Sequence, residues 1–176
     1  MKPFIPVLLL LLLSSCWPEY KQLDKDNKVV STDTIALRNC GIRMDVIKKV
    51  YKDHLADYHV NLTIIPLNRD LHLNVADIKV ALSALKSGMA YKQGDIKFLS
   101  YPKNANPYIP WDPVEGPSVN ESQTLDLKIE NRNYLVYSFS GHHHPELKLH
   151  LAVNINGETS TKDLVFKKFT QVELLH

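Results

Sequence analysis

Glycine is scarce in this chain, six in 176 residues, and cysteine scarcer, with two. Few glycines leave no phosphate-cradling loop and no nucleophile elbow, and no zincin helix motif occurs either. Two cysteines cannot build a disulfide framework of the kind that staples small secreted domains. They are also too few for a cysteine-rich structural zinc site. A basic block is missing as well: 21 lysines and arginines stand against 19 acidic residues and are not clustered. A nucleic-acid partner, which needs a concentrated cationic surface, is therefore not expected. There is no internal repeat. The longest uncharged apolar run, Phe4 to Leu13, is half the roughly 20 residues a membrane-spanning helix requires. With no catalytic motif, the chain reads as non-catalytic.

What is present begins at that run. Lys2 precedes it and the small residues Ser14 and Ser15 follow it, the layout of a secretory signal. Leu13-Ser14-Ser15-Cys16 then places a leucine three residues before a cysteine at the end of the apolar segment. This stretch resembles the lipobox of bacterial lipoproteins. The resemblance implies cleavage before Cys16, a diacylglycerol on its sulfur, and usually an acylated new amino terminus. Residues 1–15 are then the signal peptide. Two chains hold a protein on a bilayer where one is marginal, since each buried methylene contributes about 0.8 kcal/mol. Trp17 follows the cysteine where sorting in two-membrane bacteria favours aspartate for retention, so the resemblance implies the outer membrane, facing the periplasm.

A second reading treats the start as an ordinary cleaved signal, leaving Cys16 and Cys40 to pair in an oxidising compartment. In a eukaryotic secreted protein, Asn61-Leu62-Thr63 and Asn120-Glu121-Ser122 would then be glycan acceptors. If Cys16 carries lipid, Cys40 is a lone thiol, expected to be buried and inert.

Residues 16–32 comprise the anchor and the polar, mixed-charge stretch "PEYKQLDKDNKVVST", which reads as a flexible tether. The folded domain is expected from residue 33 to 176, a size that suits one domain. Within it, apolar residues alternate in short segments: Val60, Leu62 and Ile64; Leu71, Leu73 and Val75; Ile78, Val80 and Leu82; Ile96 and Phe98. Leu125, Leu127 and Ile129, then Leu135, Tyr137 and Phe139, continue the pattern. Leu147 to Ile155 alternates without a fault into Asn156-Gly157, a strong hairpin signal, and Leu164 and Phe166 mark a last strand. Short strands with turn chemistry between them predict a mainly β, two-sheet antiparallel sandwich. It resembles the immunoglobulin-like sandwiches common among exported bacterial lipoproteins. Met44, Ile47, Val50, Tyr51, Leu55 and Tyr58 recur at spacings of three and four, predicting a short helix near residues 44–57 packed on that sandwich.

Two segments are candidate sites. Residues 101–122 hold five of the ten prolines, and such a long irregular loop is usually functional or mobile. Its Tyr108, Ile109 and Trp111, held by stiff backbone, are the candidate anchors for another envelope protein. They would equally plug the open end of the sandwich. "SGHHHPE" sets His142, His143 and His144 between two strands; His142 and His144 share a side in an extended chain and would offer imidazoles to zinc or copper, with Glu146 or a distant ligand. No further cofactor is implied. The functional expectation is a lipid-anchored envelope protein that binds or scaffolds a partner, the alternative being a metal-binding one built on His142–His144.

Overall fold

The structure, a computed structural model, describes residues 19–23, 34–50, 55–104 and 116–169. Twelve strands follow in chain order: β1 Glu19–Leu23, β2 Thr34–Ala36, β3 Cys40–Val50, β4 Leu55–Pro66, β5 Leu71–Asn74, β6 Ile78–Ala84, β7 Lys92–Pro102, β8 Ser118–Val119, β9 Thr124–Leu127, β10 Asn131–His142, β11 Glu146–Ile155 and β12 Glu158–Phe169. A single 3-10 turn, Val75–Asp77, joins β5 to β6, and Asn74 Oδ1 caps it by accepting from the Ala76 N–H at 3.0 Å. No α-helix occurs among the described residues.

All pairings are antiparallel. The main sheet runs β6-β11-β12-β1-β3-β4-β10-β7-β8 with β2 beside β3, and β5 and β9 form a small second sheet. The long sheet divides at β1 into two wings. Both wings contribute to one core: Val80, Leu82, Leu149, Leu151 and Phe166 from one, Met44, Val60, Leu62, Leu135 and Tyr137 from the other. Tyr137 spans the two layers, its hydroxyl donating to the Ile78 carbonyl at 3.1 Å. Burial against Ile78 and its neighbours raises that phenol's pKa. The molecule is thus a mainly β, antiparallel sandwich.

The alternation read from the sequence holds strand by strand. Leu147, Leu149, Leu151, Val153 and Ile155 are all buried, and the intervening residues of β11 are not. Asn156 (φ 54°) and Gly157 (φ 80°) make the two-residue turn into β12, both in the left-handed region that a type I′ hairpin needs. Val136, on the opposite face of β10 from Leu135 and Tyr137, is also buried.

The helix near residues 44–57 is not formed. Residues 44–50 lie in β3 and 55–58 in β4, paired as a hairpin from Met44↔Leu62 to Val50↔Ala56. The physical reason is a competing period. Cys40, Ile42, Met44 and Val46 alternate into the core, as do Ala56, Tyr58, Val60, Leu62 and Ile64. Spacings of three and four appeared only because the count ran across the hairpin's end. Val46, Ile47, Val50 and Tyr58 are also β-branched or aromatic, types that favour a pleated, half-buried surface.

Glu19–Leu23, expected in the tether, is paired as β1. It meets β12 from Glu19↔Phe169 to Leu23↔Val165, and meets β3 at Glu19↔Ile47 and Tyr20↔Val46. The folded part therefore takes in five residues ahead of the expected boundary at 33. The signal peptide, Cys16 and residues 24–32 lie outside the described residues.

Candidate functional site

The histidine segment sits at one end of the sandwich. β10 finishes at His142, beside the first residue of β4 (His142↔Leu55), and after three intervening residues β11 begins at Glu146. Tyr91, just ahead of β7, closes this end. Its hydroxyl donates to the His142 carbonyl at 2.9 Å. Its ring stands edge-on to Tyr58 (4.9 Å between centroids) and to His144 (6.4 Å). The Tyr58 hydroxyl in turn accepts from the His144 N–H at 3.2 Å. Burial, and then the neighbouring Tyr58 phenol, push the Tyr91 pKa well above the usual range.

Gly141 makes this packing possible: a Cβ there would lie 2.6 Å from Tyr91 Cδ1. Glu146 anchors the adjoining corner, its carboxylate 3.5 Å from Lys86 Nζ and 3.8 Å from Lys167 Nζ, while its carbonyl accepts from the Leu85 N–H at 3.1 Å.

His142 and His144, the expected metal ligands, are consequently in different settings. His142 is exposed, and the half-buried His144 ring packs on Tyr91. Among the described residues no three His, Cys, Asp or Glu side chains come together in a way that could hold a metal ion. His150 is drawn elsewhere, to Asp163 across the β11–β12 hairpin at 2.6 Å. Lys148, at 2.8 Å, binds the same carboxylate, and together the lysine and histidine hold Asp163 below the usual carboxylate range.

Tyr108, Ile109 and Trp111 lie outside the described residues. The loop that carries them is fastened on its return side to β7 and on its outgoing side to the turn between β9 and β10. On the return side, the Phe98 N–H donates to the Pro117 carbonyl at 3.1 Å and β8 pairs with Ile96 and Lys97. On the outgoing side, Lys103 binds backbone carbonyls of Glu130 (3.0 Å, through its N–H) and Ile129 (2.7 Å, through Nζ). Beside that exit Tyr101 and Tyr134 stack at 5.5 Å with their planes 16° apart. Burial and the adjacent Tyr134 raise the Tyr101 pKa, against the pull of Arg132. This stack was not found from the sequence. Both tyrosines occupy outward positions of their strands, which was legible; that β7 and β10 are neighbours was not.

Three other features of the chemistry emerge only in the fold. Ser138 Oγ and His59 Nδ1 are 3.3 Å apart because Ser138 and His59 are direct cross-strand partners on a sheet face. Asn133, fully buried, accepts from Ser100 Oγ at 2.9 Å and donates to the Lys128 carbonyl at 3.0 Å. Cys40 carries a free thiol, wholly buried, and desolvation followed by the nearby Glu158 carboxylate pushes its pKa up to about 11. That matches the inert thiol expected. Of the two glycan tripeptides, Asn61 lies in a central strand with its Oδ1 buried, whereas Asn120 is exposed in a turn where its Oδ1 accepts from Ser122.

No protein-family model matches the chain, and no curated protein sequence matches it. Among solved structures it is similar to the GAE domain of GGA2p from Saccharomyces cerevisiae, at 10% identity and a TM-score of 0.37, over 81% of this chain and 100% of that one. It is also similar to a "putative lipoprotein (ycdA)" from Bacillus subtilis, at 14% identity and a TM-score of 0.37, over 76% of this chain and 38% of that one. Both likenesses are too distant for the neighbours' roles to pass to this chain. No helix among the described residues is long and apolar enough to cross a membrane.

Proposed function

We propose that this chain is a lipid-anchored protein of the bacterial cell envelope, held by a diacylglycerol on the Cys16 sulfur, whose folded body is non-catalytic and binds or scaffolds another envelope protein. The observation that carries the reading is the Leu13-Ser14-Ser15-Cys16 stretch at the end of a ten-residue apolar run. The sandwich is in keeping with it, since β1 starts at Glu19, three residues after Cys16. Trp17, in place of aspartate, favours the periplasmic face of the outer membrane.

The partner surface in this reading is the 101–122 loop, with Tyr108, Ile109 and Trp111 as anchors. Two supports for it are the fastening of the loop's return to β7 and of its exit to the β9–β10 turn, and the Tyr101–Tyr134 stack at that exit. Rigidly held loop stems lower the entropy lost when a partner is bound.

Intact mass of the protein extracted from its membrane tests the anchor. Acyl mass on a chain beginning at Cys16 is expected, and Cys16→Ser should move the protein from the membrane to the soluble fraction. A bare polypeptide, or unchanged fractionation of the serine variant, sinks the reading. For the loop, pull-downs with Trp111→Ala and Tyr108→Ala are expected to lose the partner that wild type recovers; equal recovery removes the loop from the proposal.

A further inference from the structure

Among the described residues five large apolar side chains are exposed: Leu55, Ile65, Leu67, Leu85 and Met89. Three of them, Leu55 at 49%, Leu85 at 37% and Met89 at 39%, belong to the end of the sandwich closed by Tyr91. Leu55 opens β4 opposite His142, and Leu85 and Met89 lie in the connection from β6 to β7. That connection is tied down by the Leu85 N–H to the Glu146 carbonyl and by the Ala84 N–H to the Met89 carbonyl at 2.9 Å. The apolar residues are therefore presented on a fixed scaffold.

Charges of both signs surround them. Lys86, Lys92 and Lys167 are exposed here, against Glu146 and Asp57, and Asp95 lies three residues further along β7. Exposed apolar residues with lysines beside them suit a surface that lies on a bilayer, with side chains at the acyl boundary and cations at anionic headgroups.

Where the amino-terminal chain enters decides what covers this face. β1 starts at Glu19, paired with Phe169 and Ile47, so the preceding residues leave from this same end. From Cys16 to Glu19 is three residues, a reach of about 10 Å at full stretch. β3 runs the same three residues beyond Ile47 to reach Val50, next to Leu55 across the hairpin. An anchor at Cys16 can thus reach no further than about the level of the hairpin's end.

We infer that the Leu55–Leu85–Met89 end of the sandwich rests directly on the lipid surface that holds Cys16, so that the body is docked in one orientation. This inference rests on the anchor reading above. It places the 101–122 loop, which leaves β7 at the opposite end, away from the bilayer and towards partners.

The test uses the full, membrane-extracted chain with a fluorophore on Met89→Cys or on Leu67→Cys. Cys40 is wholly buried, and the Cys16 sulfur is consumed by lipid, so neither competes for the label. The protein is reconstituted into phosphatidylcholine vesicles containing about one third phosphatidylglycerol, with a nitroxide-bearing lipid as quencher. Quenching at position 89 roughly twofold or more above that at position 67 is the expected result. Leu55→Asp with Leu85→Asp should abolish the difference, and Ile65→Asp should not. If intact mass confirms acylation and the two labels are quenched alike, the docking is wrong and the anchor stands. If the mass shows no acyl group, the anchor reading fails and the docking falls with it.

Discussion

Single atoms decide the closure at the histidine end. Adding one carbon at Gly141 would push it to 2.6 Å from the Tyr91 ring, which is wedged between Tyr58 and His144 and cannot retreat. Gly141→Ala is expected to lower stability by about 1–3 kcal/mol, the usual penalty of overpacking, whereas Tyr91→Phe, which deletes the hydroxyl bonded to the His142 carbonyl, should cost about 0.5–1.5 kcal/mol. Urea unfolding of both variants checks the ranking. Asn133 is the comparable polar case. Asn133→Ala strips partners from the Lys128 carbonyl and Ser100 hydroxyl and should cost about 1–3 kcal/mol, more than Ser100→Ala, since Ser100 is exposed to water. Cys40 gives a pH effect of definite sign. Its thiol rises from 9.0 to about 11 on folding, so its contribution is fully present below pH 9 and is lost as pH climbs towards 11. A thiol-reactive dye at mildly alkaline pH is expected to leave Cys40 unmodified until denaturant is added; rapid reaction of the native protein would contradict its burial.

Elements show where local pattern suffices and where it misleads. The eight segments read from alternation each overlap a strand, because burying one face of a pleated chain writes a period of two into the sequence, although Val75 falls in the 3-10 turn and Ile129 in the turn after β9. The 44–57 region carried that period too, in Ile42, Met44 and Val46, but a second spacing coincided with it across a turn and outweighed it. β1 carries no such signature. "EYKQL" has no apolar alternation and is held by pairing with neighbours on both sides. Hydrogen exchange on the full chain separates a strand from a tether. Slow exchange of amides in residues 20–23, tracking those of residues 165–169, is expected; exchange at the rate of an unstructured peptide would return the segment to the tether. The candidate sites divide in the same way. The histidine segment was correctly placed between two strands, but the Tyr58 and Tyr91 rings that fix His144 come from residues 86 and 53 positions away, and nothing local announces them.

On the scale of the molecule, β1 ties the chain's two extremities together: Glu19 pairs with Phe169, and β12 joins the β6–β11 wing to the rest only through β1 within the sheet. Closing so long a loop delays the native pairing until the last strand is available. Truncation after Thr161 removes the partner of both β1 and most of β11, leaving Leu147, Leu149 and their neighbours on an open edge. That form is expected to go to the insoluble fraction on expression, edge strands being ready templates for aggregation, while removal of residues 170–176 alone should leave solubility unchanged. Soluble, cooperatively unfolding protein ending at Thr161 would show that the β1–β12 pairing is dispensable.

The sequence by itself determined the β class, the inward face of most strands and the Asn156-Gly157 turn. Each of these is set by neighbours a few residues apart. Only the tertiary structure decided that β1 bridges two wings, that residues 44–58 fall in a hairpin, that Tyr91 seals the histidine end over Gly141, and that Leu55, Leu85 and Met89 stand at the end of the sandwich where β1 begins. Those outcomes depend on which strands become neighbours and in what register, a choice made by burying one common core from residues distant in the chain.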